Sequence, residues 1–448
     1  MDRTSYADDV VSKIVNDRFI AIRVDADRRP DIGDRYSLGG WPTTAFLTAD
    51  GMIVGGGTFV PVDRMPSVLS RVLDAFTSRR DEILANSLRT KSGNREPHQA
   101  GDVDLMSIVF DTFDRKHGGF GTEPKFPVTA PLDLALVTYS DSHDASMAQI
   151  AETTLDAMGW GALYDDVDGG FFRCAATCDW RFPHQEKLLA VNAQLLRLYV
   201  EASEALGVTR YRERATDVLR YLQTWLADQG DGGWAGSQQA DEVYYASGAD
   251  ARRTASPPSV DAAFYAGGNA TMASAALRIA EVLDDTALGE FALKSLERVL
   301  LGCYTPGGGV AHCLEEQASV RGLLDDQIAM AAAQLDAHAA TGNIVYQMMA
   351  QELVHYALRT MWDERDGGFF DRSIPDEQDR VGLMDERLKP FVSNCEAARV
   401  LRRLADATSD REFDARADAT LAAVAPLAGD QGALAAHYLL ARRPLQTK

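Results

Sequence analysis

Apolar residues recur with two different periods along this 448-residue chain, and the change from one to the other divides it. In the first eighty residues, helical spacing and alternation take turns. Residues 6–16 have the spacing of an amphipathic helix, and 19–24 (FIAIRV) read as a buried strand that ends at Asp25. A short helix or turn is expected over 29–36. Strands over 43–47 and 52–54 follow, joined by an Ala-Asp-Gly turn, and then a helix over 62–79. The order α-β-α-β-β-α describes a small α/β domain. Residues 78–101 are charged and contain Ser and Asn, which marks a linker.

From Val103 onward the period is helical almost throughout. Helices are expected near 103–114, 131–140, 145–160, 186–206, 209–228, 260–284, 286–302, 322–341, 343–362, 390–408, 410–428 and 431–441, about twelve that pair into six hairpins. Turns within a pair are short, around Gly207, Asp285, Thr341-Gly342 and Ser409, whereas connections between pairs run to about 20–30 residues. The long connections carry glycine clusters: HGGFG at 117–121, DGGFF at 168–172, DGGWAG at 231–236, PGGGVAH at 306–312 and DGGFFD at 366–371. Their starts, Gly118, Gly169, Gly232, Gly307 and Gly367, recur every 50–75 residues, the signature of stacked helix-pair repeats.

Hairpins packed side by side put every short turn at one end and every long loop at the other, so the long-loop end is the expected mouth. The glycine pairs are expected to cap the outgoing helices in the left-handed conformation. The aromatic after each pair, Phe120, Phe171, Trp234 or Phe369, either packs the returning loop or offers a platform for a sugar ring.

Composition then removes whole classes of function. The net charge of -21 rests on 66 acidic residues, with aspartate about twice as common as glutamate and lysine scarce beside arginine. Phosphate binding needs a basic face, so nucleic acid is excluded as a partner. An Asp-rich, Lys-poor surface resembles proteins of high-salt cytoplasms, where charge keeps the chain in solution. There is no run of 18 apolar residues, and Met1-Asp2-Arg3-Thr4 does not open a leader peptide, so no membrane span is expected and a cytoplasmic location is. Five cysteines without a secretion signal argue against a disulfide framework. Cys174 and Cys178 lie four apart with His184 six further on, a spacing that lacks a fourth zinc ligand, so they read as buried thiols and no metal or other cofactor is assigned. The sequence assigns no oligomeric state.

Each incoming helix starts just after a long loop, so its first residues face the mouth. These starts read FPHQEK (182–187), PSVDAAF (258–264), GLLDDQ (322–327) and LKPFVSN (388–394). Acidic residues at helix N-termini serve as caps and dipole partners, which is the plain reading of Glu186, Asp261 and Asp325. Four such starts converging on one opening give the other reading, a pocket holding His184, Glu186, Asp261, Asp325, Asp326 and Lys389. Two carboxylates in different surroundings divide the roles of acid and base. In glycoside hydrolysis their separation sets the outcome, about 5 Å for retention and about 6.5–9.5 Å for inversion. A histidine beside a carboxylate serves instead to take a proton next to a carbonyl, as in sugar epimerisation.

GGWPTTAFLTADG (39–51) raises a separate question. An aromatic before proline fits either a cis turn into a strand or a trans proline opening an edge strand. Together with DTFDRKHGGFGTEPKFP (111–127), FPHQEKLLAVNAQLL (182–196), GLLDDQ and MWDERDGGFFD (361–371), it resembles the thioredoxin-domain-containing family that includes spermatogenesis-associated protein 20. The resemblance covers nearly the whole chain. It implies a mainly α architecture: an (α/α)6 toroid like that of six-hairpin glycosidases and N-acylglucosamine 2-epimerases over 102–448, preceded by a partial α/β thioredoxin-like domain over 1–80 and a linker over 81–101. It also makes Pro42 the equivalent of the cis-proline that faces a redox site. Lys125, His184, Glu186, Lys187, Asn192, Asp325, Asp326, Lys389 and Pro390 fall on the family's motifs.

The departures bear on activity. The family's motif close to Cys-His-Trp-Cys-His leads into a stretch that is here the opening MDRTSY, so both reactive cysteines are missing, and thiol exchange needs a thiolate. GDRYSLGGWP is shorter than the family pattern between Tyr36 and Gly39. HQEKLLAVNA has Gln185 for Phe and Ala190-Val191 for Tyr-Asp, and AGGNATM (266–272) keeps Asn269 but loses the tryptophan of SWNGLM. The leading expectation is a carbohydrate-active pocket, glycosidase- or epimerase-like, at the toroid mouth. Glu186, Asp325, His184 and Asp326 are its candidate catalytic groups, and Lys125, Lys187, Asn192, Asp261, Asn269 and Lys389 its candidate contacts to a small-molecule ligand, a sugar foremost. A thiol-redox protein, should a Cys-x-x-Cys lie upstream, and a non-catalytic binding scaffold are the alternatives.

Overall fold

The computed structural model describes residues 1, 4–83, 104–375 and 377–444. The chain divides into two compact units, Met1–Pro97 with Ile374–Leu388, and His98–Ser373 with Lys389–Lys448. Most of the stretch read as a linker over 81–101 falls outside the described residues.

The smaller unit contains α1 (Asp9–Arg18), α2 (Pro30–Tyr36), the antiparallel hairpin β1 (Thr44–Leu47) and β2 (Ile53–Gly57), and α3 (Met65–Ser78). Asp8 caps α1 by accepting from the amides of Val10 and Val11. Val11, Met65 and Leu69 form its core, with Phe19 and Phe46 packed against them. The Trp41–Pro42 bond is cis. Residues from the second stretch of the unit are tied in through backbone: the Arg35 guanidinium donates to the carbonyls of Leu383 and Glu386 at 3.1 and 2.6 Å, and the Tyr36 hydroxyl accepts from Leu383 N at 3.1 Å. One expectation fails here. Residues 19–24 are extended, but no described strand pairs with them, and Ile20 and Ile22 are 93% and 77% exposed. Apolar alternation suits a strand, but a strand needs a hydrogen-bonded neighbour, and β1 takes only β2.

Among the described residues, twelve helices of the larger unit form two concentric rings of six. In chain order they are α4 (Leu105–Asp111), α5 (Ala130–Ser142), α6 (Ala145–Gly159), α7 (Leu189–Leu206), α8 (Thr209–Tyr221), α9 (Ala266–Leu283), α10 (Thr286–Cys303), α11 (Leu324–Thr341), α12 (Ile344–Thr360), α13 (Phe391–Thr408), α14 (Arg411–Val424) and α15 (Ala435–Arg442). The odd-numbered helices pack α5 on α7, α7 on α9, α9 on α11, α11 on α13, α13 on α15 and α15 back on α5, which closes the inner ring. The even-numbered helices lie outside, and α4 packs on α15, so the two ends of the unit meet in one layer. This is an (α/α)6 toroid.

The short turns owe their form to a few residues. His143, Gly207, Asp284, Gly342 and Ser409 take the left-handed conformation that ends each inner helix. In four of the five turns the next residue, Asp144, Asp285, Asn343 or Asp410, then caps the outer helix through its side chain. The mouth end is built from short strands: β3 (Cys174–Ala175) with β4 (Pro183–His184), then β5 (Lys187–Leu188), β6 (Ser237–Gln238) and β7 (Val260–Asp261), and finally β8 (Phe264–Tyr265), β9 (Tyr304–Thr305), β10 (Gly309–Leu314) and β11 (Ala318–Arg321). These strands correct the expected helix starts at 186 and 260. Pairing of β5 with β6, of β6 with β7 and of β8 with β10 keeps both stretches extended, so α7 begins at Leu189 and α9 at Ala266. Among the described residues no helix is long and apolar enough to cross a membrane.

Candidate functional site

One device repeats around the mouth and accounts for most of the conspicuous polar residues. An aspartate stands four positions before each of four glycine pairs: Asp114, Asp165, Asp228 and Asp363. Its side chain accepts from amides of the turn that follows, and the aromatic after the glycines forms a bridge back to the residue before the aspartate: Phe113 with Phe120, Tyr164 with Phe171, Ala227 with Trp234, Trp362 with Phe369. The glycine pairs therefore sit several residues past the helix ends, not at their caps. Gly170, at φ +81°, shows why the position is fixed, since an added Cβ would stand 2.5 Å from the Tyr221 ring. The four aromatics are all buried, which makes them packing residues and leaves no face for a sugar.

A cation then fastens each of the four turns, and a side-chain amide three of them. Lys125 Nζ donates to Asp114 and the Gly118 carbonyl, both at 2.7 Å. Lys187 Nζ donates to Asp165 at 2.7 Å and the Gly169 carbonyl at 2.6 Å, and Lys389 Nζ to Asp363 at 2.9 Å and the Gly367 carbonyl at 2.7 Å. Arg298 takes the same place on Asp228 and Gly232. Asn192, Asn269 and Asn394, each the fourth residue of its inner helix, accept the aromatic's N–H and donate to its carbonyl at 2.7–3.0 Å. Gln327 does so for Val310. Lys125, Lys187, Asn192, Asn269 and Lys389, read in sequence as ligand contacts, thus bind the protein's own backbone.

Lys187 is the most enclosed of these cations. Phe172, Tyr221 and Tyr245 surround its ammonium at 4.5–5.2 Å, and Arg252 shares Asp165 at 2.8–2.9 Å. Burial pushes Lys187 down to about 8 in spite of Asp165. The same burial opposes the charge on Asp165, but Lys187 and Arg252 outweigh it and keep that carboxyl below the usual range.

A different cluster faces the mouth. Asp326, buried in the first turn of α11, accepts from Gly267 N at 3.1 Å and meets His312 Nδ1 with its two oxygens at 2.9 and 3.1 Å. His312 lies on β10, with its side chain 14% exposed. The Tyr265 ring of β8 leans over the imidazole at 5.3 Å, and its hydroxyl donates to Asp261 at 2.7 Å. Asp261, Tyr265, His312 and Asp326 form one connected group. The remaining named residues stand beside it. Asp325 is exposed in the first turn of α11, and His184 is exposed on β4 opposite Cys174. Glu186 is ion-paired with Arg173 at 3.0 Å. The registers of β5 with β6 and β6 with β7 put Leu188, Ser237 and Asp261 in one row, and Glu186 stands just before β5, two residues from that row.

His312, Arg173 and Tyr265 were not singled out in sequence as chemistry-bearing residues. The available signal for His312 was the PGGGVAH cluster, the one of the five that ends in a histidine. Thiol chemistry finds little footing among the described residues. The smaller unit's sequence contains no cysteine, and burial pushes Cys174 upward and Cys303 and Cys395 up to about 12. No group of three or more His, Cys, Asp or Glu side chains among the described residues is arranged to hold a metal ion.

Comparison with known proteins bears on both units. A thioredoxin-like family model described as "Protein of unknown function, DUF255" matches residues 1–92. Spermatogenesis-associated protein 20 of Mus musculus is 31% identical over 273 residues, covering 54% of this chain and 34% of that protein. An uncharacterized protein of Caenorhabditis elegans is 28% identical over 272 residues, 54% of this chain and 37% of that one. The chain thus spans about a third of the length of these curated relatives. Among solved structures, cellobiose 2-epimerase from Bacillus thermoamylovorans has a TM-score of 0.56 at 11% identity over 70% of this chain and 82% of that one. A D-mannose isomerase has 0.57 at 13% over 73% and 88%. A family 76 glycoside hydrolase, an α-mannanase of Bacteroides thetaiotaomicron, has 0.55 at 10% over 76% and 93%. At these identities the likeness shows the fold, a toroid of the six-hairpin glycosidase type shared with sugar epimerases and glycoside hydrolases.

Proposed function

The chain belongs to the thioredoxin-like DUF255 family that includes spermatogenesis-associated protein 20, and on that premise we propose that its helical unit is an aldose isomerase or epimerase that moves a proton at the carbon beside a sugar carbonyl. The observation that carries this reading is the His312–Asp326 pair. An imidazole whose Nδ1–H points at a buried carboxylate has its lone pair on Nε2, which makes that nitrogen the base. Asp326 fixes the tautomer and stabilises the imidazolium formed when the proton is taken, and the Gly267 amide in turn orients Asp326. The Tyr265 ring limits the swing of the imidazole, and its hydroxyl, engaged by Asp261, is a second polar group next to the reacting centre.

The likeness of the toroid to a cellobiose 2-epimerase and a D-mannose isomerase supports the substrate class. The test is proton exchange. The full chain is incubated in D2O with D-mannose, D-glucose, D-fructose and cellobiose, and loss of the C2–H signal of the aldoses, or of a C1–H signal of fructose, is followed by NMR. His312→Asn is expected to lower the exchange rate by about 10²–10⁴-fold. Absence of exchange with every sugar would remove the reading.

A second reading takes Glu186 and Asp261, carboxylates at the two outer strands of one small sheet, as the reacting pair. Leu188 and Asp261 are two strand spacings apart, about 10 Å, and Glu186 lies two residues further along, so the two backbones stand about 12 Å apart and the carboxylates meet the spacing of an inverting glycoside hydrolase only by leaning toward one another. It predicts release of reducing ends from mannan-type oligosaccharides, lost in both Glu186→Gln and Asp261→Asn. It ranks below the first because Glu186 is engaged by Arg173 and Asp261 by the Tyr265 hydroxyl.

A further inference from the structure

Below the mouth, the inner ring carries a second polar level. On α7 the accessible positions Ala190, Gln194, Arg197 and Glu201 follow one another at helical spacing, a single stripe toward the ring axis. On α13 the matching stripe is Val392, Glu396, Arg399 and Arg403. These two helices stand opposite one another in the ring, three steps apart in either direction. Arg197 and Glu396 are each 35% accessible at the side chain although helices surround them, so they border an internal, water-accessible lumen.

The charges at this level are fixed. Arg197 donates to Asp133 of α5 at 2.5 Å, and Asp133, with Glu201 and Glu396 in electrostatic range, holds its pKa above the ordinary arginine value. Glu396 accepts from Arg399 at 3.0 and 3.3 Å and meets His437 Nδ1 of α15 at 2.7 Å. Burial opposes the charge on Glu396, but Arg399 and His437 outweigh it and hold the carboxyl at about 2. Asp326, Glu396 and Arg197 are the third, sixth and ninth residues of their helices. At 1.5 Å per residue the charged level lies about 5–9 Å deeper than Asp326, a depth of the order of one sugar ring.

We propose that Arg197, Glu396 and His437 form the floor of the pocket and bind vicinal hydroxyls of a neutral sugar whose carbonyl end lies against His312. The proposal rests on the isomerase or epimerase reading and specifies the substrate for the same site. Arg197 only donates and ionised Glu396 only accepts, and a hydroxyl does both, so two adjacent hydroxyls complete both groups. At the floor Arg197 and Arg399 balance Asp133 and Glu396, and above it Arg173 answers Glu186 while Asp325 and Asp326 add negative charge at the mouth, a balance that disfavours phosphate.

The experiment is calorimetric titration of the full chain with D-mannose, D-glucose, D-fructose and D-mannose 6-phosphate, for the wild type, Glu396→Gln and His312→Asn. Glu396→Gln is expected to weaken binding of the neutral sugar about tenfold to a hundredfold, and His312→Asn to leave it within about threefold. In the wild type, the side-chain 15N resonances of His437 are expected to shift on titration with D-mannose, a readout that does not depend on a variant folding. Unchanged affinity in a folded Glu396→Gln protein, unmoved His437 resonances, tighter binding of D-mannose 6-phosphate than of D-mannose, or no binding of any neutral sugar each overturns the proposal. Binding that depends on Glu396 without C2–H exchange removes the isomerase reading and supports the floor. Exchange that survives Glu396→Gln with an unchanged KM removes the floor and leaves the isomerase reading in place.

Discussion

Two aspartates of the helical unit, Asp165 and Asp326, are both buried and both face a side-chain nitrogen within 3 Å, yet the proposed function gives them opposite jobs. Asp165 meets Lys187, whose ammonium also donates to the Gly169 carbonyl within a wall of aromatic rings, and Arg252 takes the same carboxylate. Every charge there is answered by protein, so the cluster holds a turn in place. Asp326 meets an imidazole, a group with two nitrogens and two protonation states near neutral pH, on a strand at the mouth. The difference lies in the partner: a lysine in such a cage can only fasten, whereas a histidine oriented through one nitrogen can move a proton through the other.

The sharpest way to break the comparison is to exchange activity for stability. His312→Asn should cost about 10²–10⁴-fold in exchange rate, equivalent to about 3–5 kcal/mol of barrier, while its unfolding free energy in denaturant stays within about 1 kcal/mol of wild type. Lys187→Met should do the reverse. It leaves Asp165 buried with Arg252 as its remaining cation, and a loss of about 3 kcal/mol is expected in the same denaturant titration. A Lys187→Met protein as stable as wild type would show that the cage does not depend on the ion pair.

Next in size is the amide brace. Asn269 accepts the Trp234 N–H at 2.8 Å and donates to the Trp234 and Tyr265 carbonyls at 2.9 and 3.1 Å. Asn269→Ala strands a buried N–H and is expected to cost about 2 kcal/mol. Tyr265 belongs to the candidate site, so the same variant tests whether the frame transmits to the chemistry: a frame-only role predicts lower stability at an unchanged exchange rate.

The framework was far more legible in sequence than the site. Glycine clusters at intervals of 50–75 residues and two-residue turns that begin at Gly207 or Ser409 are local signals, and they placed the helix pairs correctly. Strands at the mouth were not legible, because β5, β7 and β8 are two residues long and exist only through partners more than 20 positions away, and about 50 for β5 and β8. For the same reason Glu186 and Asp261 read as helix starts, and the FIAIRV run read as a strand although no described segment pairs with it. Lys187 and Asn192 stood out as functional because buried polar residues draw attention, and only their hydrogen bonds reveal a brace. The aspartate four positions ahead of each glycine pair would have given it away, since a ligand contact has no reason to recur with the turn. His312 was hidden by its place on a strand that follows glycines, far from any helix start.

The smallest effect follows from the titration of the cage. Folding lowers Lys187 from the ordinary lysine value of 10.5 to about 8, so between those values the unfolded chain holds a proton that the folded chain has released. Stability rises with pH wherever the unfolded state binds more protons, so this group adds stability as pH increases from 8 toward 10.5 and adds nothing to the slope below 8. One proton of difference limits the slope to about 1.4 kcal/mol per pH unit. Buried groups with raised folded pKa values oppose it through the unfolded chain, the thiols Cys303 and Cys395 already near pH 9 and the tyrosines Tyr199 and Tyr221 above that, so the lysine contribution is read from the difference between wild type and Lys187→Met, in which those groups cancel. The gap in unfolding free energy between wild type and Lys187→Met should be constant below about pH 8, at the loss given above, and widen from there toward high pH. Parallel lines would mean that Lys187 keeps its proton throughout. In that case Asp165 and the aromatic wall outweigh burial, and the cage would be an ordinary ion pair whose contrast with His312 rests on geometry alone.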